Sequence, residues 1–166
     1  MILHFAGLGV WAYYDNIGWA QLSASAATNL QLGDLDGNGV SELIVQFAGQ
    51  GEWALYNFTS WVQIYPAAAA GFVTGNIDGD GGGRADLIIN FPGAGVWAFM
   101  NNTSWVQLHA LNSPVMTTGD LDGNGQSDVV LYFPGFGIYA LKNFSTWTFI
   151  HPAPPELMVT GRMNAN

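Results

Sequence analysis

The chain has no cysteine. A disulfide framework and a thiolate metal or nucleophile site are therefore excluded. Bases are nearly as scarce. Arg84, Lys142 and Arg162 are the only three, so the basic footprint of a nucleic-acid binder is absent. Only 9% of residues are charged, against about a quarter in an ordinary globular domain. There is no 18-residue apolar run to span a membrane, and a signal peptide is not expected in the residues from Met1 onward. The first residues, Met1 to Phe5, read as a strand already in progress, so a mature form or an excerpt of a longer protein is expected. No Ser/His/Asp set, catalytic carboxylate pair or histidine-rich cluster emerges, and an enzyme is not expected.

What is present is apolar and glycine-rich. The chain has 166 residues, 49% of them hydrophobic, with 22 glycines. That length suits one domain with a real core, and that mix suits short strands joined by tight turns. The net charge is −9, and nine of the 12 acids fall in three loops. The acidity is therefore local.

The first loop runs Gly33-Asp34-Leu35-Asp36-Gly37-Asn38-Gly39-Val40-Ser41-Glu42. It recurs as Gly119-Asp120-Leu121-Asp122-Gly123-Asn124-Gly125-Gln126-Ser127-Asp128. A copy longer by two residues runs from Gly75 through Asn76, Asp78 and Asp80 to Asp86. Oxygen side chains fall at alternate positions, then a glycine, then a further carboxylate. Alternate residues of a tight loop turn their oxygens inward, as a hard cation such as Ca²⁺ requires. The backbone carbonyls of Val40 and Gln126 are further expected ligands. An EF-hand is excluded, because Val45, Leu87 and Leu131 stand where its bidentate glutamate belongs. Asp, Asn and Gly favour turns in any case, but three copies that keep the last acid argue for metal. Such a metal is structural, tying strand to strand. Three Ca²⁺ would bring the net charge from −9 to −3.

The loops belong to a repeat. Phe5, Phe47, Phe91 and Phe133 each open Phe-x-Gly-x-Gly, at intervals of 42, 44 and 42. An aromatic-Ala pair follows: Trp11-Ala12, Trp53-Ala54, Trp97-Ala98, Tyr139-Ala140. Eight residues beyond each of those aromatics stands Trp19, Trp61, Trp105 or Trp147. Each unit reads as four strands, with turn residues at every junction. The strand after the loop is apolar at successive positions, so both its faces should be buried. The expected fold is all-β, a propeller of four four-stranded blades within one domain spanning residues 1–166. Leu157 to Val159 is expected to supply the first strand of the blade that opens at Met1, so that both termini share the last blade. The same complementarity, acting between molecules, would give rings or filaments.

The loop, the apolar strand after it and Phe-x-Gly together resemble the FG-GAP/VCBS repeats of integrin-like β-propellers. The resemblance covers nearly the whole chain. It implies Ca²⁺ ligands at Asp34, Asp36, Asn38 and Glu42; at Asn76, Asp78, Asp80 and Asp86; and at Asp120, Asp122, Asn124 and Asp128. The segment from Arg162 to Asn166 lacks carboxylates and is not expected to bind metal. It also implies a calcium-stabilised, extracellular or cell-surface scaffold or adhesion module. Its expected partners are itself or other extracellular proteins.

The other signals have plainer readings. Gly7-Leu8-Gly9-Val10-Trp11-Ala12 fits a dinucleotide pattern but precedes a strand, so its glycines read as a hairpin turn. The tryptophans read first as filling between neighbouring blades. The alternative is a lectin, with exposed aromatics stacked on sugar rings. His109 and His151 stand where other copies have Ser23 and Tyr65, which reads as strand-end variation. Asn57, Asn101, Asn102 and Asn143 begin glycosylation sequons in equivalent hairpins, with Asp15-Asn16 in the first copy; turn preference explains them equally.

Overall fold

The computed structural model describes residues 1–15 and 17–161. Arg162 to Asn166, and Asn16 in the first hairpin, lie outside the described residues. Among those described, fifteen strands form four antiparallel sheets, and in each sheet sequence order is spatial order. Among the described residues no helix is long and apolar enough to cross a membrane. Contacts divide the chain into two units, Met1–Leu32 with Glu42–Ala69, and Gly33–Ser41 with Ala70–Asn166.

The first unit holds two sheets. One has three strands: β1 (Ile2–Phe5), β2 (Gly9–Tyr14) and β3 (Gly18–Ser23). The other has four: β4 (Ala27–Gly33), β5 (Glu42–Phe47), β6 (Gly51–Tyr56) and β7 (Ser60–Tyr65). Val10, Leu43, Val45, Phe47 and Leu55 form its buried core, with Ile2, Leu22, Leu30, Trp53 and Trp61 packed around them.

The second unit holds β8 (Gly71–Gly75), β9 (Asp86–Phe91), β10 (Gly95–Met100) and β11 (Ser104–His109) in one sheet. Its other sheet is β12 (Met116–Gly119), β13 (Asp128–Phe133), β14 (Gly137–Lys142) and β15 (Thr146–His151). Ile77, Ile88, Val96, Ala98 and Met100 meet Val129, Leu131, Phe133 and Leu141 in one core. Fully burying each such aliphatic side chain stabilises by ~1.5–3 kcal/mol.

The strand after each acidic loop is buried on both faces. Every residue of β5 and β9 is buried, and every residue of β13 except Tyr132. Consecutive apolar residues at 43–45, 87–89 and 129–131 do this, and the buried amides beside them are bonded, Gln46 to the Ala69 carbonyl and Asn90 to the Ser113 carbonyl. The Phe-x-Gly-x-Gly segments are hairpin turns, closed by bonds such as Leu8 N–H to Phe5 O (2.9 Å) and Phe136 N–H to Phe133 O (3.0 Å). Gly95 shows why glycine is needed there. Its φ is 83°, and a Cβ would run into the His109 carbonyl. A bulge follows at once, between Val96 and Trp97, and the other three sheets carry it at the same place.

The sheet expected to be shared by both termini differs. The β1–β3 sheet has three strands, and residues 157–161 form none. The terminal segment instead lies against β12. The Thr160 hydroxyl donates to the Thr118 carbonyl and approaches the Thr117 hydroxyl at 3.5 Å.

Candidate functional site

Two features stand out in the second unit, an acidic loop and an aromatic pocket. The loop follows β12. Asp120 Oδ1 accepts the N–H groups of Gly123 (2.6 Å) and Asn124 (3.1 Å), and Oδ2 accepts that of Gly125 (2.8 Å). These donors, Gly125 foremost, hold the Asp120 carboxyl below its ordinary pKa. Asp128 opens β13 and is fully buried. Its Oδ2 accepts Leu121 N–H at 3.0 Å and its Oδ1 accepts Asn143 N–H at 3.0 Å. One carboxylate thus ties the loop to the β14–β15 hairpin.

Asp120, Asp122 and Asp128 each offer an oxygen, all within 4.8 Å of one another. The donor chemistry is hard, anionic oxygen, which fits Ca²⁺. Asn124 Oδ1 accepts Gln126 N–H at 2.7 Å, and the Gln126 amide donates to the Ile77 carbonyl at 2.5 Å.

The first loop repeats the local pattern. Asp34 accepts the N–H groups of Gly37 (2.8 Å), Asn38 (3.1 Å) and Gly39 (2.8 Å), and Asn38 Oδ1 accepts Val40 N–H at 2.7 Å. Asp36 Oδ1 also accepts Asn38 N–H, at 3.1 Å.

The second loop is different. Asp80 pairs with Arg84 (Oδ2 to Nε, 2.8 Å). Asn76 Nδ2 donates to the Asp80 carbonyl at 3.2 Å. Asp86 spends its oxygens on Ile77 N–H (3.0 Å) and Asn101 N–H (2.9 Å), and burial raises its pKa. Among the described residues, Asp78, Asp80 and Asp86 are not gathered into one carboxylate group. Arg84 lies in the stretch that the insertion lengthens, and its guanidinium neutralises Asp80.

Asn101 and Asn143 have a role that the sequence did not single out. Both sit at φ near 50° and open three-residue hairpin loops, Asn101-Asn102-Thr103 and Asn143-Phe144-Ser145. Asn101 Nδ2 donates to Asp78 Oδ2 (2.6 Å), and Asn143 Nδ2 to Asp122 Oδ2 (3.0 Å). Asn143 Oδ1 accepts from Asn124 Nδ2. These amides brace the loops, and a sugar attached to either nitrogen would compete with that contact. Asn102 shares the Asn101 hairpin, with φ of 59°, and Asn57 opens the β6–β7 hairpin, with φ of 49°. The signal was available in the sequence: an asparagine 15 residues after the last acid of each loop.

The pocket is formed by His109 and Leu111 on one side and Phe133, Phe136, Tyr139 and Trp147 on the other. It encloses about 310 Å³. The His109 ring lies 4.3 Å from Phe133 and 5.6 Å from Trp147, centre to centre. His109 Nδ1 accepts Leu111 N–H at 3.1 Å. In the neutral imidazole Nε2 therefore carries the hydrogen and is the remaining donor.

Side-chain replacements in the fourth repeat accompany this pocket. In the other three repeats Trp11, Trp53 and Trp97 donate Nε1–H to the carbonyls of Leu8, Gln50 and Ala94, at 2.8, 3.0 and 2.9 Å. Gln21, Gln63 and Gln107 donate to the same carbonyls at 2.9, 2.9 and 3.0 Å. The fourth repeat has Tyr139 for the tryptophan and Phe149 for the glutamine. Without indole and amide donors, the rings contact one another, Tyr139 to Phe149 at 5.3 Å and Phe133 to Tyr139 at 6.1 Å. The repeated tryptophans pair with the phenylalanine of their own sheet, from 5.2 to 6.0 Å. They are not fully buried: Trp19 is 48% and Trp147 37% exposed.

One carboxyl stands apart. Glu52 is fully buried where the other repeats have Val10, Val96 and Ile138. Oε1 accepts Ala69 N–H at 2.8 Å. Burial pushes its pKa from 4.5 to about 7.

No family model matches the chain, and neither does any curated protein. Solved structures do. One shows the specific recognition of non-reducing terminal N-acetylglucosamine by an Agrocybe aegerita lectin. It matches at TM-score 0.58 and 19% identity, over 86% of this chain and 46% of the lectin. A biofilm matrix protein of V. cholerae, Bap1, matches at TM-score 0.47 and 17% identity, over 74% of this chain and 20% of its own. The chain thus spans less than half the length of either protein. At these identities the likeness to the lectin is one of fold.

Proposed function

We propose that this chain is a non-catalytic saccharide-binding adhesion module, a β-propeller type of assembly whose acidic loops hold structural Ca²⁺. The observation that carries the binding role is the aromatic pocket. Its volume lies within the ordinary range for small-ligand sites. Its walls are flat rings, which suit the apolar C–H face of a pyranose. His109 and Tyr139 supply the few polar groups that orient such a ligand. The fold likeness to an N-acetylglucosamine-recognising lectin supports the same reading and recommends that sugar as the first probe.

Calcium has a supporting part in this reading. Asp120, Asp122 and Asp128, with the Gln126 carbonyl, would hold one ion, and the first loop repeats their pattern in sequence. The ions would fix the turns between strands. An extracellular setting, where calcium is plentiful, follows from that need.

The test is calorimetric titration with N-acetylglucosamine and a panel of other monosaccharides. Trp147→Ala removes one wall of the pocket. Its expected effect is at least a tenfold weakening, since ~1.4 kcal/mol of lost contact is tenfold in affinity. Equal binding by the wild type and Trp147→Ala would place the sugar elsewhere. Silence across the panel would remove the saccharide reading.

A further inference from the structure

Residues 157–161 form no strand, yet they run beside β12, where the first strand of a further sheet would lie. In the second unit, β12 meets β8 through the Thr118 hydroxyl, which donates to the Thr74 carbonyl at 2.5 Å. The Thr160 hydroxyl makes the same bond to the Thr118 carbonyl. Thr74, Thr118 and Thr160 are equivalent in the repeat, each followed by glycine. The segment therefore sits beside β12 as β12 sits beside β8. Yet Leu157 is 90% and Val159 92% exposed. By the same equivalence Val159 corresponds to Val73, which is half-buried in β8 and paired with Ile88 of β9.

The β1–β3 sheet has the opposite deficiency. Among the described residues it has strands corresponding to β5, β6 and β7 but none corresponding to β4. From these two observations we infer that a second copy of this chain docks here, head to tail. Residues 157–161 of one copy add to the free edge of β1 in the next. The register follows from β12 and β13, where Met116 faces Leu131 and Thr117 faces Val130. Moved by one repeat, Met158 faces Leu3 of the second copy and Val159 faces its Ile2. Backbone pairing along an exposed edge supplies the affinity, and alternate side chains the specificity. Being heterologous, the contact repeats from copy to copy until a ring closes.

Docking also completes a second pocket; this consequence rests on the saccharide reading. Shifted by one repeat, His109 becomes His151, and Phe133, Phe136, Tyr139 and Trp147 become Phe5, Leu8, Trp11 and Trp19. His151 is already posed like His109, its Nδ1 accepting Ala153 N–H at 3.1 Å. Phe5, Leu8 and Trp19 are 39%, 60% and 48% exposed. One copy supplies the histidine and the next supplies the rings.

The absence of cysteine allows a direct test. Leu3→Cys and Met158→Cys are made in separate chains and mixed under mild oxidation. The expected product is a disulfide-linked pair of chains. Light scattering should give the wild type at a multiple of 17.8 kDa. Val159→Asp, at an exposed position that leaves each copy folded by circular dichroism, should return it to a single chain. A wild type at one chain mass would overturn the inference. So would a Leu3→Cys/Met158→Cys double variant that cross-links only within itself, which would mean that the segment closes on its own chain. Saccharide titration separates the two readings. Two sites per assembled chain and one in Val159→Asp support the second pocket. Cross-linking without any saccharide heat would leave the docking intact and sink the pocket reading alone.

Discussion

Replacing Asp128 by alanine should weaken the fold whether or not metal is bound. Asp128 is fully buried, and its two oxygens are the acceptors for Leu121 N–H and Asn143 N–H, each at 3.0 Å. Alanine leaves both donors without a partner. Each is a part-buried hydrogen bond to a charged acceptor, worth about 1.5–3 kcal/mol, so the pair contributes about 4 kcal/mol. In a domain of this size each kcal/mol lowers the melting temperature by about 2–4 °C, which gives a fall of roughly 8–16 °C. Asp128→Asn keeps one acceptor oxygen and should fall about half as far. The assay is thermal unfolding followed by circular dichroism, in excess chelator, so that no ion contributes. A melt for Asp128→Ala within about 2 °C of the wild type would refute the argument that this carboxylate ties loop to hairpin.

Glu52 makes stability depend on pH in the less usual direction. Its folded pKa of about 7 stands above the ordinary 4.5, so the folded state holds the proton more tightly. The contribution is fully present below 4.5 and is lost as pH rises through 7, about 3 kcal/mol in all. Urea titrations at several pH values should show that slope in the wild type and not in Glu52→Gln; parallel curves would contradict it. Calcium should raise the melting temperature, because a ligand bound only by the folded state stabilises it by mass action. Asp122→Ala should remove part of that rise by differential scanning calorimetry, and a chelator-insensitive wild type would exclude structural metal. Gly95→Ala should destabilise, since φ is 83° and the added Cβ meets the His109 carbonyl; an unchanged urea midpoint would show that the hairpin relaxes freely.

Much of this fold was legible in the sequence. Phe-x-Gly-x-Gly placed the hairpins, and the uninterrupted apolar stretches from Leu43, Leu87 and Val129 placed the strands buried on both faces. These are local signals, set by backbone freedom at glycine and by alternation along a strand. Less legible were the contacts between distant residues. Asn101 and Asn143 read as turn formers because asparagine favours turns; their bonds to Asp78 and Asp122 span about half a repeat. His109 read as strand-end variation because its partners, Phe133 and Trp147, lie in the following sheet. Tyr139 and Phe149 were visible departures from tryptophan and glutamine. Their consequence depended on two side chains converging on one hairpin carbonyl, which spacing alone does not reveal. Arg84 showed as one of three bases, but its pairing with Asp80 comes from the path of the longer second loop.

The central claim is that a saccharide occupies the pocket at His109 and Trp147. The most direct measurement is a nuclear magnetic resonance titration of the indole N–H signals with N-acetylglucosamine, each assigned by single Trp→Phe variants. The account predicts that the Trp147 signal moves and saturates while those of Trp53 and Trp97, held by their hairpin carbonyls, stay still. Indole signals that all remain in place across the saccharide panel, or a shift that spares Trp147, would contradict it.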